Sequence, residues 1–317
     1  MRALIERALA FHTLSIADLV AIFEDARPTA VARRGEALAE LDRQSSTRGR
    51  IVGVTGTPGS GKSTLIGRVG VALHGRGLSV GVLAVDPSSL ASGGSLLGDR
   101  VRARFPSDEP RLYFRSQASD AELGGLGPDT FQVCRLLHHL FDVVIVETVG
   151  IGQSEVDVRW LCDRMLLVVQ PLGGDEVQML KAGIMEVPDV IVVNKCDERA
   201  AARRTLAALS SSLPLSRPFD AGPPPVLLAS ALSGEGIGAI VEDLVGNARA
   251  SGMANKEAHF FQRWVRSEWG RVGERLLVDE LGGAAAFVRA HAGFDGAQHA
   301  FGPAMRTALA GAAPSDA

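Results

Sequence analysis

The chain has 317 residues, of which 46% are hydrophobic, so it can build one large α/β domain with appendages or two domains. Its formal net charge is -3, with 33 basic and 36 acidic residues, and this balance does not favour nucleic acid or an anionic membrane as a partner. The three cysteines lack metal-ligand spacing, the apolar runs are too short to span a bilayer, and the N-terminus has no signal-peptide pattern. We therefore expect a cytoplasmic protein with reduced thiols.

Helical patterns begin and end the chain. Residues 1–48 are predicted to form a helical N-terminal extension, and residues 247–317 a C-terminal helical arm and tail. One long helix is expected over residues 254–281, and the alanine- and glycine-rich remainder is expected to end in a frayed tail. The helix places on one face Phe261, Val265, Trp269, Val272 and Leu276. This face either packs on the rest of the chain or is buried against a second copy.

Residues 49–246 alternate short β-branched runs with helical patterns. The predicted strands are Ile51–Val54, Ser79–Val85, Leu112–Phe114, Val143–Val146, Met165–Val169, Val190–Val193 and Val226–Ala229. Continuous apolar strands separated by helices indicate a sheet that is buried on both faces. The pattern predicts an α/β fold with a mostly parallel central sheet and helices on both faces.

A glycine-rich segment follows the first predicted strand and precedes a helical pattern. Its sequence, GTPGSGKS from Gly56 to Ser63, matches the G-x-x-x-x-G-K-[ST] pattern of P-loop NTPases. Backbone N–H groups and the helix N-terminus of such a loop bind phosphate, its lysine reaches the β and γ oxygens, and its hydroxyl can ligate Mg²⁺. The predicted phosphate-binding residues are Gly59, Ser60, Gly61, Lys62, Ser63 and Thr64.

A second motif predicts the base. The sequence Asn194-Lys195-Cys196-Asp197 follows a predicted strand and fits the N-K-x-D pattern of GTPases. The Asp197 carboxylate can accept hydrogen bonds from both N1–H and N2–H₂ of guanine, while Asn194 can bond the base edge or join loops. After the next strand comes a segment that resembles the S-A-x loop whose backbone contacts the guanine carbonyl, formed by Ser230, Ala231 and Leu232. We expect GTP and GDP rather than ATP.

Three carboxylates are candidates for the metal site. Asp86 and Glu147 each end a predicted strand at the edge that faces the P-loop, and Asp99 lies in a glycine-rich loop that can move with the nucleotide. With Ser63 they are the predicted Mg²⁺ ligands or lie next to them. Asp86 precedes a proline, so the alternative for it, which is less favoured, is a turn residue. Glu147 opens an E-x-x-G segment that parallels the D-x-x-G switch of other GTPases.

Several segments together fit one family. They are Gly56–Thr64, Val85–Ser89, Ser92–Arg100, Phe114–Ser116, Glu147–Glu155, Gly174–Glu176 and Asn194–Asp197. This set resembles the MeaB/ArgK family of P-loop GTPases, which are chaperones of adenosylcobalamin-dependent acyl-CoA mutases such as methylmalonyl-CoA mutase. The resemblance is strong over residues 50–245 and looser over the N-terminal extension.

The resemblance implies a homodimeric GTPase with a C-terminal dimerisation arm. Such a protein binds the mutase, gates the delivery of cofactor from an adenosyltransferase, and protects or reactivates the mutase. It also implies Ser63 and Asp99 as Mg²⁺ ligands with Asp86 and Glu147 nearby, and catalysis by positioning and charge stabilisation around Lys62. No residue is identified as the base. Gln153 and Glu155 can orient the attacking water, although Gln153 can equally cap or bridge loops.

The chain departs from the family pattern in two loops. Leu90-Ala-Ser92 replaces a segment that is basic in many members, and Met179-Leu-Lys181-Ala182 stands where Gly-Ile-Lys-Lys is expected, so one of two lysines is lost. The tail after residue 282 also differs. Because these loops are expected to contact the client, isobutyryl-CoA mutase and 2-hydroxyisobutyryl-CoA mutase are candidates beside the methylmalonyl enzyme.

Three other functions were weighed. A GTPase metallochaperone would be expected to carry Cys-x-Cys-Cys or His-rich tracts, which the chain lacks. A transport-associated kinase would need a membrane partner and phosphoryl transfer to protein. A scaffold that binds GTP without turnover remains open, since no water-activating residue is identified.

Overall fold

A computed structural model describes residues 1–45, 48–87, 105–106, 108–119, 126, 128–148, 155–171, 187–216, 222–247 and 252–311. Its centre is a parallel sheet. The strands are β1 (Arg50–Gly56), β2 (Val80–Pro87), β3 (Leu112–Ser119), β4 (Val143–Thr148), β5 (Arg164–Val169), β6 (Val190–Val193) and β7 (Val226–Leu228). They lie in the order β3-β2-β4-β1-β5-β6-β7, and every neighbouring pair is parallel.

Helices cover both faces of the sheet. They are α1 (Arg2–Leu9), α2 (Thr13–Glu24), α3 (Pro28–Gln44), α4 (Lys62–His74), α5 (Pro128–Leu140), α6 (Glu155–Leu161), α7 (Arg199–Ser216), α8 (Ile237–Gly246), α9 (Met253–Arg275), α10 (Ala284–Ala290) and α11 (Phe294–Gly311). Apolar residues of α4 and α8 fill one face, whereas α1–α3, α5, α6 and α9–α11 share a core on the other. The α/β fold with helices on both faces is confirmed.

The register places the polar ends of the strands together. Val54 of β1 lies opposite Glu147 of β4, and Ala84 of β2 lies on the other side of Glu147. Because all strands are parallel, their carboxyl ends meet at one edge of the sheet, where doubly wound folds bind ligands. The segment between β1 and α4 also lies at this edge.

The helix predicted over residues 254–281 is interrupted. At Gly270 the backbone adopts φ 56° and ψ -150°, and after Arg275 the chain continues as a π-helical turn, Leu276–Glu280. Phe261, Val265 and Leu276 are buried as the periodicity predicts, but Val272 is 57% exposed. Within this chain Val272 does not share the buried face of Phe261, because the break at Gly270 rotates the following turn relative to the preceding one.

Two helices that the sequence did not predict, α10 and α11, cover the aromatic face of α9. The ring of Phe261 packs against Phe287, Phe294 and Phe301 at centroid distances of 5.7, 5.7 and 5.9 Å. Trp264 lies 6.1 Å from Phe301. The four phenylalanines are buried within one chain and Trp264 is partly buried, so the aromatic stripe gives no independent support for a homodimer.

Buried ion pairs join the N-terminal and C-terminal helices. Arg34 of α3, with 2% exposed surface, contacts Asp295 of α11 at 2.5 Å and donates to Gln298 at 2.6 Å. Arg135 of α5 donates to the other oxygen of Asp295 at 2.7 Å and contacts Glu257 of α9 at 3.0 Å. Regions that are far apart in the sequence thus form one packed layer.

Candidate nucleotide site

The P-loop turns between β1 and α4. Gly61 precedes α4 with φ 83°, and a Cβ atom there would lie 2.6 Å from Nδ2 of Asn194, so both conformation and space require glycine. Lys62 begins the helix and is 8% exposed. Its Nζ donates to the carbonyl oxygens of Gly56 at 3.0 Å and Thr57 at 3.2 Å. The ammonium group is therefore held above the loop whose N–H groups would receive phosphate.

A hydroxyl and a carboxylate meet beside the P-loop. The Ser63 Oγ donates to Oε1 of Glu147 at 2.7 Å, and Glu147 is 7% exposed. Nearby, the Thr148 hydroxyl donates to Thr55 of β1 at 3.1 Å. Hydroxyl and carboxylate oxygens are the ligands that Mg²⁺ prefers, and most Mg²⁺ sites use only one or two protein ligands. The residues at this point fit such an ion.

Asn194 connects the P-loop with a second loop. Its Nδ2 donates to the carbonyl oxygen of Ser60 at 2.8 Å, and its Oδ1 accepts from the N–H of Ala231 at 3.1 Å. The residue is 1% exposed. Of the two roles weighed from the sequence, the structure records the loop-joining one.

Asp197 lies at the open edge of the same site. Its Oδ1 accepts from the hydroxyl of Ser230 at 2.6 Å, and this hydrogen bond lowers the pKa of Asp197 below the ordinary value of 3.8. The carboxylate is therefore ionised at neutral pH and able to accept hydrogen bonds from a base. Lys195 has φ 58° and donates to Gln170 at 3.0 Å. Leu232 is 80% exposed and Thr64 is also exposed.

Some predicted residues are not covered. Asp99 and Gln153 lie outside the described residues, as do the two loops that depart from the family pattern. Asp86 is the next-to-last residue of β2, but its side chain is not among those described. Predictions for these three residues stay predictions.

Sequence reasoning missed Arg68 of α4. Its Nε donates to the carbonyl oxygen of Ala231 at 3.0 Å and its Nη2 to that of Leu232 at 3.2 Å. Nothing in the local sequence signals this contact, because both acceptors are backbone atoms from a distant segment.

Within the described residues, no group of three or more His, Cys, Asp and Glu side chains is arranged to hold a metal ion. Among the same residues, no helix combines the length and the apolar character that crossing a membrane requires.

Known families and proteins were then compared with the chain. Residues 16–281 match the family model described as methylmalonyl Co-A mutase-associated GTPase MeaB. The match begins in α2 and ends after the π-helical turn, so α10 and α11 lie beyond it.

Curated relatives and a solved structure are also similar to the chain. A protein of Caulobacter vibrioides that is named as a GTPase is 39% identical over 240 residues, which are 72% of each chain. The mitochondrial methylmalonic aciduria type A homolog of Caenorhabditis briggsae is 36% identical over 72% of this chain and 57% of its own length. A crystal structure titled LAO/AO transport system kinase has a TM-score of 0.61 and 26% identity, and the alignment covers 91% of this chain and 88% of that one.

Proposed function

Because this chain belongs to the MeaB family of methylmalonyl-CoA mutase-associated GTPases, we propose that it is a GTP-hydrolysing chaperone of an adenosylcobalamin-dependent acyl-CoA mutase. Its GTPase activity follows from the family and from relatives that are named GTPases. The chaperone role, which comprises gated cofactor loading and protection or reactivation of the mutase, is the proposal.

The convergence of three loops at one edge of the sheet carries the guanine-nucleotide part of the proposal, and the family match carries the chaperone part. Asn194 ties the P-loop to the Ser230–Leu232 loop, and Asp197 lies beside that second loop with its carboxylate ionised. A triphosphate bound at the N-terminus of α4 would thus have its base near Asp197. We assign phosphate binding to residues Gly59–Thr64 and base recognition to Asn194, Lys195, Asp197 and Ser230–Leu232.

For the metal site we propose Ser63 and Asp99 as Mg²⁺ ligands, with Asp86 and Glu147 beside it. A bound Mg²⁺ would neutralise charge that develops on the β and γ oxygens. Glu147, which is buried, would orient the Ser63 hydroxyl through the 2.7 Å hydrogen bond. Lys62 would exchange its carbonyl contacts for phosphate oxygens, and we keep Gln153 as the candidate that orients water.

The partners follow from the same family. We propose one acyl-CoA mutase as the client, with the methylmalonyl, isobutyryl and 2-hydroxyisobutyryl enzymes as candidates, and an adenosyltransferase as the cofactor donor. A homodimer, a cytoplasmic location and the division into 1–48, 49–246 and 247–317 remain part of the proposal. Incomplete assembly of the site would give slow intrinsic hydrolysis that the client accelerates.

The test is GTP hydrolysis by the purified chain, alone and with each adenosylcobalamin-dependent acyl-CoA mutase from the same genome. We expect one mutase to raise the rate. The Lys62→Ala variant gives the background, because it removes the phosphate-facing ammonium. A rate that no mutase changes, in a protein that still hydrolyses GTP, would contradict the chaperone role and leave the GTPase intact.

A further inference from the structure

Arg68 connects the helix that begins at the P-loop with the loop that follows β7. It lies less than two turns after Lys62. Its two hydrogen bonds reach the carbonyl oxygens of Ala231 and Leu232, which are 163 and 164 positions away in the sequence. A guanidinium is planar and presents its donors in a fixed fork, so two contacts from one group restrict both the position and the orientation of the loop.

The same loop is held from the other side and from within. The backbone N–H of Ala231 donates to Oδ1 of Asn194. Within the loop, the backbone N–H of Ser230 donates to the carbonyl oxygen of Glu235 at 2.9 Å, and the N–H of Gly234 donates to the carbonyl oxygen of Ser230 at 2.8 Å. In a trans peptide the carbonyl and the following N–H point in opposite directions. Because the carbonyl groups of Ala231 and Leu232 face Arg68, the N–H groups of Leu232 and Ser233 point away from it. The N–H of Ser233 donates to the Ser230 hydroxyl at 3.2 Å, which leaves the N–H of Leu232 as the donor directed away from Arg68.

We propose that Arg68 is a positioning residue for guanine recognition, which holds the Ser230–Leu232 loop where the backbone N–H of Leu232 meets the 6-keto oxygen of the base. This inference rests on the proposed guanine site. The phosphate end and the base end of the nucleotide then depend on one rigid element, α4, whose first residue is Lys62. Arg68 acts through the loop and touches no reacting atom.

The experiment compares three diphosphates by calorimetry. GDP and IDP both carry the 6-keto oxygen, whereas 6-thio-GDP replaces it with sulfur, a weaker acceptor. We expect Arg68→Gln to raise the dissociation constants of GDP and IDP by about tenfold. The dissociation constant of 6-thio-GDP should rise much less, because its sulfur forms only a weak hydrogen bond that contributes little to binding. Arg68→Lys should recover part of the loss, since it keeps the charge and one contact.

Arg76→Gln is the matched control. Arg76 follows α4 and contacts Glu242 of α8 at 2.6 Å, so it links the end of α4 to the helix that follows the loop, without contacting the loop itself. We expect it to leave all three dissociation constants unchanged. Thermal unfolding of every variant would show whether the substitutions alter the fold.

Two results would overturn the role of Arg68. If Arg68→Gln lowered the affinity for all three nucleotides equally, the substitution would act on phosphate binding or on the fold. If it lowered the affinity for none of them, the two hydrogen bonds of Arg68 would not contribute to nucleotide binding. Asp197→Ala tests the underlying site separately. If that variant binds GDP as the wild type does, the proposed guanine site fails, whatever Arg68→Gln shows.

Discussion

His138 lies on α5, at the layer where the N-terminal and C-terminal helices meet the sheet. Burial, and then the neighbouring His139, lower its pKa from the ordinary 6.5 to about 4. The unfolded chain therefore binds this proton more readily than the fold, and the free energy of unfolding should fall as the pH drops from about 6.5 toward 4. At pH 5 we expect His138 to account for about 1–2 kcal/mol of the loss.

Urea unfolding at pH 7 and pH 5 measures this effect. His138→Gln should lose less stability than the wild type between the two values, because the substituted side chain does not titrate. His299→Gln, a substitution of an exposed histidine, is the control and should follow the wild type. Equal losses in all three proteins would refute the assignment.

At the same scale, sequence motifs predicted which residues converge at the nucleotide site, but not the hydrogen bonds that hold their loops in place. Asn194 and Asp197 were predicted because their side chains have a chemical role that a short pattern encodes. Arg68 was not, because a contact from a side chain to a distant backbone leaves no pattern in either segment. Asp99 and Gln153 lie outside the described residues, and their roles stay predictions.

At the scale of elements, the break within α9 depends on the backbone conformation of one glycine. The backbone of Gly270 lies in a region that is nearly restricted to glycine, and a Cβ atom there would meet nothing within 4 Å. Gly270→Ala should therefore destabilise the protein by about 1–3 kcal/mol through conformation alone. Gly35, in the middle of α3, also has free space, and Gly35→Ala should stabilise by about 0.5–1 kcal/mol.

Urea midpoints of the two variants should move in opposite directions. If Gly270→Ala moved the midpoint upward as Gly35→Ala does, the break in α9 would be absent in solution. Both variants replace glycine by alanine at a site with free space, so the two sites differ in backbone conformation.

The sequence predicted elements well where the hydrophobic pattern is strong. All seven strands begin within one residue of the predicted starts, because buried parallel strands form continuous β-branched runs. It failed for α10 and α11, whose alanine- and glycine-rich segments resemble a loose tail. Their helical structure depends on tertiary contacts, such as those of Phe287 and Phe301 with Phe261, rather than on local propensity.

At the scale of the whole molecule, α10 and α11 are part of the core although the family match ends before them. A chain shortened after residue 281 would expose Phe261 and remove Asp295, leaving Arg34 without its carboxylate partner. We expect it to aggregate and to bind a hydrophobic dye, because buried aromatic surface would face water.

Asp295→Asn in the full chain separates charge from apolar burial. It should lower the free energy of unfolding by about 3–5 kcal/mol, because two buried arginines lose a charged partner, and yet the protein should remain soluble. Dye binding and sedimentation distinguish the two variants. A shortened chain that stays monomeric and has the same midpoint temperature of thermal unfolding as the wild type would contradict a structural role for α10 and α11.

The ion pair between Arg34 and Asp295 also has a consequence for biosynthesis. Its partners are separated by 261 residues, so α3 is complete long before α11 has been translated. At synthesis rates of about 5–20 residues per second, the ribosome needs roughly 13–52 s to add that length. During this interval Arg34, which is buried in the folded chain, and the apolar faces around it are accessible to other proteins. The N-terminal helices, although they are synthesised first, are therefore among the last parts to reach their final packing.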